Sequence, residues 1–520
     1  MRKYLFRNML LLFSISLFVS CSGSKSKTTY EALIPVNQAD IITAINFDKL
    51  LTKSDLHNLA TPEEWQQVKL LLSQSIDQQE SVDFIFNLLQ NPNKSPLDLS
   101  QTTYIVARLK EEGIKHVLFA SAVKEESQIV KLLEGLEDST SSNEFENYKH
   151  YEINGVHILV AKQICFVYSG GDKDDLKLLI NSQSTLSEQR FLTHLKESDI
   201  GFAFDLKTWS SNYQNLLAQS TPASTLSLDS FYSQFEGPIF QIAEINFEQG
   251  KVIMNQKIEV ESEQDQATLT HLKEIFSPIQ NTYSKWITKD PLLYASFGLN
   301  GEKTYPVIAP LLEKSNLITN PDVLNFIQLL AKSTQGDFAV SLSDLEIGFF
   351  KQAAKVNLFI PIKEDSIYQK LIALLKSDEN FSSLIKNESA EMIQLTALGQ
   401  DVYIGKATDY IYLSTDKRFT QDPVEVVNNP LSETRYFSNS QNAVSYISLD
   451  LAQLIQNPMV QTLVVSSIEQ EPIKQLLQSL DYLDFRSNSD FTSQGQLVLK
   501  GTKDNALKVL TLALLELSRM

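Results

Sequence analysis

The chain has 520 residues, 43% apolar and 9% aromatic, enough for two or three ordinary hydrophobic cores. Its formal charge of −18 argues against nucleic acid, whose phosphates demand a basic footprint, and against flat docking on anionic lipid. With only two cysteines, Cys21 and Cys165, the body is not a disulfide scaffold.

In chain order, Arg2, Lys3 and Arg7 form a basic start, and Met9–Val19 is apolar except for Ser14 and Ser16. Small Ser20 then precedes Cys21, the layout of a secretory signal. Leu17-Phe18-Val19-Ser20-Cys21 resembles a bacterial lipobox, with Phe18 departing from the usual Leu. That resemblance implies that Cys21 is acylated, palmitate-type chains included, and becomes the mature N-terminus. The alternatives are a signal cut elsewhere or an uncleaved anchor helix, for which the apolar run falls short of the roughly 20 residues of a span. Loss of the three basic residues would take the charge to −21. Residues 22–29 (SGSKSKTT) read as a flexible polar spacer. The expected location is the outer membrane; these residues lack the acidic run that resembles a surface-export signal in Bacteroidota lipoproteins, and by that analogy the body faces the periplasm.

The body opens with Leu33-Ile34-Pro35, an expected strand at 41–47 and a short helix from Asp48. Thr61-Pro62-Glu63-Glu64 is a capped helix start, and 81–89 reads as a further helix. Strands at 104–109 and 116–123 form a hairpin around Glu111-Glu112-Gly113, followed by a helix over 125–136 and a polar loop over 138–147. Strands at 148–153, 156–161 and 164–168 follow, the first two joined by Asn154-Gly155, a strong hairpin signal. Asp172 caps a helix to 180; then come a strand at 200–205, a helix with Trp209, a Ser/Thr-rich loop at 220–230, a hairpin of 240–247 with 251–260, and a helix over 265–276.

The second half repeats this order. Gly155, Lys162, Phe166, Tyr168 and Asp172 recur at one offset as Gly399, Lys406, Tyr410, Tyr412 and Asp416. Phe204-Asp205-Leu206 returns as Leu449-Asp450-Leu451, and Val123-Lys124-Glu125 as Ile362-Lys363-Glu364. The expected organisation is a lipoprotein signal (1–21), a spacer (22–29) and two homologous halves (30–282 and 283–520). Each half is α+β, a mainly antiparallel sheet with packed helices.

Leu33-Ile34-Pro35, Asp40–Asn46 and Leu50-Leu51-Thr52-Lys53-Ser54-Asp55-Leu56 together resemble Bacteroidota lipoproteins of domain-of-unknown-function family 4836. Asp55 stands where that pattern has glycine. The resemblance implies no established activity and no catalytic residues.

The sequence carries no nucleophile elbow, phosphate-binding Gly-rich loop or His-Glu-x-x-His. Of six histidines, His150 and His157 flank one hairpin and could approach each other, but without a further ligand cluster they make no zinc site. Asp401 stands at the position of His157 in the second half. Cys165, in an apolar segment, reads as a buried structural thiol. Asp172, Asp174 and Asp175 read as a helix start rather than a calcium loop, and Asp205 and Asp450 as caps.

The expectation is therefore a non-enzymatic, lipid-anchored binding or envelope-assembly module with Cys21 as its lipidation site. It has no catalytic residues, metal ligands or cofactor, and binds the membrane through the anchor, with an envelope protein as a possible partner. The alternatives are a carrier of an apolar ligand in a cleft between the halves, and an enzyme whose site is not visible in sequence.

Overall fold

The computed structural model describes residues 30–518 apart from 37–38, 76–85, 87–89, 91–94, 111–112, 136–138, 143–144, 146, 183, 209, 211–231, 316–319, 348–351, 398, 408, 421–426, 428–429, 467 and 469. Cys21, the signal and the spacer lie outside these residues, as do Glu111-Glu112, Trp209, the loop at 220–230 and all but Phe86 of the expected helix at 81–89.

The chain folds as two compact units. Unit 1 comprises the described residues of Met1–Leu216, Pro238–Glu259 and Thr502–Met520, and unit 2 those of Leu217–Gly237 and Val260–Gly501. These bounds differ from those of the sequence repeats at the segment before Pro238, which falls in unit 2, and at the helix that closes each half. Glu263–Lys273 falls in unit 2, where the buried Asp265 carboxylate accepts the Glu236 and Gly237 amides at 2.7 and 2.9 Å. Ala506–Ser518 falls in unit 1, packed on helices Phe47–Ser54 and Pro62–Ser75.

The described strands of unit 1 are β1 (Ile41–Ile45), β2 (Thr103–Lys110), β3 (Gly113–Ala122), β4 (Thr140–Ser142), β5 (Lys149–Ile153), β6 (Val156–Val160), β7 (Ile164–Ser169), β8 (Ile200–Asp205), β9 (Ile239–Glu248) and β10 (Lys251–Val260). They lie in the order β4-β5-β6-β7-β3-β2-β1-β8-β9-β10. Unit 2 carries β11 (Leu293–Asn300), β12 (Gln335–Ile347), β13 (Gln352–Pro361), β14 (Ile385–Glu388), β15 (Met392–Ala397), β16 (Gln400–Ala407), β17 (Tyr410–Ser414), β18 (Ser445–Asp450), β19 (Leu480–Ser487) and β20 (Ser493–Leu499). Their order is β14-β15-β16-β17-β13-β12-β11-β18-β19-β20, the unit 1 order strand for strand. The fold is α+β with antiparallel sheet, as the strand and hairpin signals imply.

The centre of each sheet is covered on both faces, so its strands are apolar throughout rather than alternating. In β7, Ile164-Cys165-Phe166-Val167-Tyr168 is buried end to end. Phe166 and Tyr168 join Tyr104, Leu118, Leu159 and Leu176 on one face. Cys165 and Val167 join Phe119, Val160, Trp65 and Ile129 on the other. Unit 2 divides the same way, with an aromatic face (Tyr283, Phe359, Tyr410, Tyr412) and an aliphatic one (Ile367, Ile393, Ile404, Ile411). Each such side chain contributes roughly 1.5–3 kcal/mol by leaving water.

Local signals produce the expected termini. Thr61 and Glu64 form a reciprocal cap: the Glu64 amide donates to Thr61 Oγ1 at 3.3 Å, and the Thr61 amide to Glu64 Oε2 at 2.6 Å. Asp172 accepts the Asp175 amide at 2.9 Å, and Asp450 the Gln453 amide at 2.7 Å. One expectation needs correction: the polar loop 138–147 contains β4, which pairs with β5 through Thr140↔Glu152 and Ser142↔His150. An edge strand needs backbone partners rather than an apolar pattern, so its sequence reads as loop.

Candidate functional site

Strands β5 and β6 are joined by Asn154-Gly155, with φ of +52° and +76°, the left-handed pair that a two-residue hairpin requires. This turn fixes the register His150↔Leu159, Tyr151↔Ile158 and Glu152↔His157. Side chains two apart share a face, so His150 and Glu152 project on the side occupied by His157. His150 Nε2 lies 3.2 Å from His157 Nδ1, and Glu152 Oε2 lies 3.8 Å from the same Nδ1. Three donor atoms, one from each residue, fall within 4.8 Å of one another. His150 and His157 are 2% and 5% exposed as whole residues, whereas 44% of the Glu152 side chain reaches solvent. The Phe145 ring flanks His150 at 5.0 Å and the Tyr168 ring flanks His157 at 6.2 Å.

The same step of unit 2 carries Gln394, Thr396 and Asp401, with Thr396 opposite Asp401. Thr396 Oγ1 donates to Asp401 Oδ1 at 2.8 Å, and Lys386 Nζ lies 3.2 Å from that oxygen. The scaffold is repeated, but the histidines belong to unit 1.

Unit 2 has a polar feature of its own. Ser448 on β18 stands opposite Asp484 on β19, Tyr446 opposite Arg486, and Gln496 on β20 opposite Asp484. Asn439, from helix Arg435–Ser440, donates to Asp484 Oδ2 at 3.1 Å, and the Arg435 guanidinium lies 3.7 Å over the Tyr482 ring. Five atoms of this array, Asp484 Oδ1, Ser448 Oγ, the Tyr446 hydroxyl, Arg435 Nε and Arg486 Nε, are buried without a hydrogen bond of good geometry. Burial, with the Asp484 carboxylate nearby, holds the Tyr446 phenol well above its ordinary pKa. The matching cross-strand pairs of unit 1 are Ala203↔Ile242 and Gly201↔Glu244. A buried apolar pair therefore stands where unit 2 places Ser448 and Asp484.

The family model described as "Domain of unknown function (DUF4836)" matches residues 30–507. The chain belongs to DUF4836. A search of curated proteins finds no match. Among solved structures, crystal form III of a protein titled TP0453 is similar over 48% of this chain and 87% of that one, at 9% identity and a TM-score of 0.26. Crystal form IV covers 45% and 83%, at 11% identity and the same TM-score. Likeness at that level carries no argument.

The residues that carry the DUF4836 resemblance have structural tasks. Ile34 and Val36 bond to the backbone at Leu186 and Ser184, and Asp40 Oδ2 accepts the Leu109 amide at 2.7 Å. Asn46 is buried, its amide donating to the Lys196 carbonyl at 3.1 Å and its carbonyl accepting from Thr102 Oγ1 at 2.7 Å. Lys53 pairs with buried Asp199, Ser54 Oγ donates to the Leu51 carbonyl, and Asp55 ends the helix at φ +55°. That left-handed position explains the glycine of the family pattern.

The remaining candidates separate. Cys165 is buried, and desolvation pushes its thiol up to about 12, the reverse of an activated nucleophile. His57 stacks on Trp65, His194 lies 2.7 Å from Glu244, and His271 is paired with Glu274 at 3.7 Å. Glu152 was missed because it lies between the two histidines without forming a sequence motif. The available signal was its spacing of two from His150 and its position opposite His157 across the Asn154-Gly155 turn.

Proposed function

We propose that this DUF4836 chain is a lipid-anchored protein of the bacterial envelope. It is held in the outer membrane through acylated Cys21, with its body facing the periplasm, and it works as a non-catalytic binding or assembly module. The anchor rests on the basic start, the apolar run and the small residue before Cys21. Several acyl chains hold such a body firmly, each buried methylene contributing about 0.8 kcal/mol. Among the described residues, no helix is long and apolar enough to cross a membrane.

The observation that supports binding is the array around Asp484. Tyr446 lies among Ser448, Asn439 and Asp484, but buried polar atoms whose hydrogen bonds are poorly formed cost up to about 1–3 kcal/mol each, and a ligand supplying better-placed donors and acceptors there lowers that cost. Arg435, Arg486 and Tyr482 are partly exposed at its rim, as a polar ligand requires. The test is a thermal-shift screen of the full chain against envelope-derived glycan and peptide fractions. A binding fraction should stabilise the wild type and the Lys289→Ala control, but not Arg486→Leu. Equal stabilisation of Arg486→Leu, or no stabilising fraction, argues against the array as the binding site.

A further inference from the structure

We infer that His150, Glu152 and His157 form a binding site for one borderline divalent transition-metal ion of the Zn2+ type, carried by unit 1 alone. The distances are the first argument. Zn2+ binds imidazole nitrogen and carboxylate oxygen at about 2.0–2.2 Å in tetrahedral sites, which places neighbouring donor atoms roughly 3.3–3.6 Å apart. The two ring nitrogens are 3.2 Å apart, short of that spacing by only about a tenth of an ångström. Glu152 Oε2, 3.8 Å from His157 Nδ1, reaches it with a few tenths of an ångström of movement in a side chain that is 44% exposed.

Rigidity is the second argument. Both histidines project from strands within a sheet whose next members, β7 and β3, are buried on both faces. The left-handed Asn154-Gly155 turn forbids a slip of register that would send His157 to the other face. Ligands on such elements are held before the ion arrives. Phe145 and Tyr168 wall the rings, lowering the local dielectric, while Glu152 supplies the negative charge and the route from solvent.

The donor set selects the ion. Ca2+ and Mg2+ prefer oxygen ligands in larger number, whereas two imidazoles and one carboxylate suit Zn2+, Co2+, Ni2+ and Cu2+. An imidazole–imidazole hydrogen bond also accounts for 3.2 Å between nitrogens. Conversion to the metal-bound form moves the proton of that bond to the outer nitrogen of its own ring, leaving both facing lone pairs for the ion. No net charge is lost.

Unit 2 supplies an internal control. Gln394 and Thr396 stand in place of His150 and Glu152, and Lys386 occupies the approach to Asp401. The site therefore binds one ion per chain and not two.

The test uses the full mature chain, stripped with a chelator and titrated with Zn2+ by calorimetry, and with Co2+ followed by its visible absorption. One equivalent should bind, raising the melting temperature, and Co2+ should give the intense bands of a tetrahedral site. His150→Ala and His157→Ala should abolish binding. Glu152→Gln, on a half-exposed side chain that leaves the fold intact, should weaken it by at least the roughly tenfold that follows loss even of an outer-shell partner. His271→Ala, at an exposed histidine, should change nothing. Absence of Zn2+ binding by the folded wild type overturns the proposal. So does binding that survives His157→Ala and Glu152→Gln, or binding that is lost with His271→Ala.

Discussion

Lys53 Nζ meets Asp199 Oδ2 at 2.6 Å, where the carboxylate side chain is 1% exposed. The same oxygen accepts the Phe247 amide at 2.7 Å, so this pair ties the end of helix Phe47–Ser54 to β9. Removing one partner of a buried pair leaves an uncompensated charge, at a cost of about 3–5 kcal/mol. Lys53 is 30% exposed and Asp199 keeps its amide donor, which discounts that figure. Lys53→Met should lower stability by about 2 kcal/mol in urea denaturation, whereas Lys289→Met, at an exposed pair, should fall within about 0.5 kcal/mol of the wild type.

Asp55 occupies a left-handed helix end at φ +55°, where glycine carries no steric cost. It is compensated by a 2.7 Å bond from Asn58 and a 3.0 Å contact with Lys508, which together lower its carboxyl pKa. High salt screens the Lys508 contact and leaves the backbone cost in place. Asp55→Gly should therefore be near neutral at low salt and stabilising at high salt. A loss of stability under both conditions would show that the two contacts outweigh the backbone term.

His116 packs 5.5 Å from the Tyr168 ring. Burial, then Lys115 and Arg108, lower its pKa below the ordinary 6.5, against the opposing pull of Asp175. The folded state thus binds the proton less readily than the unfolded chain. Its contribution is fully present above about pH 6.5 and is lost as pH falls through the folded value. Between about pH 7 and 5, His116→Gln should show a shallower fall in melting temperature than the wild type. Parallel profiles would remove His116 from the acid sensitivity of the fold.

Much of the scaffold was legible because its signals are local. Asn154-Gly155, the Thr61-Pro62 start and the Asp172 cap each depend on residues within a few positions of one another, and each forms as read. Punctuation recurs along the chain at similar separations, and the two units run their strands in one order. The two candidate sites were not legible, because register creates them. Ser448 and Asp484 are 36 positions apart and meet only through the pairing of β18 with β19. Glu152 becomes a third donor only when β5 and β6 are aligned. Placement of helix Ala506–Ser518 in unit 1 likewise follows from packing on residues more than 400 positions away, to which no sequence period points.

The anchor at Cys21 is tested most directly by fractionating cells that make the wild type and Cys21→Ala. The wild type should partition with the outer membrane, incorporate labelled palmitate and show a mature N-terminus at an acylated Cys21. Its only free thiol is then Cys165, which should resist alkylation in the folded protein and react after denaturation. Cys21→Ala should be released as a folded, soluble chain without label. A Cys21→Ala chain that stays in the membrane fraction, or a wild type that takes up no acyl label, would contradict the account.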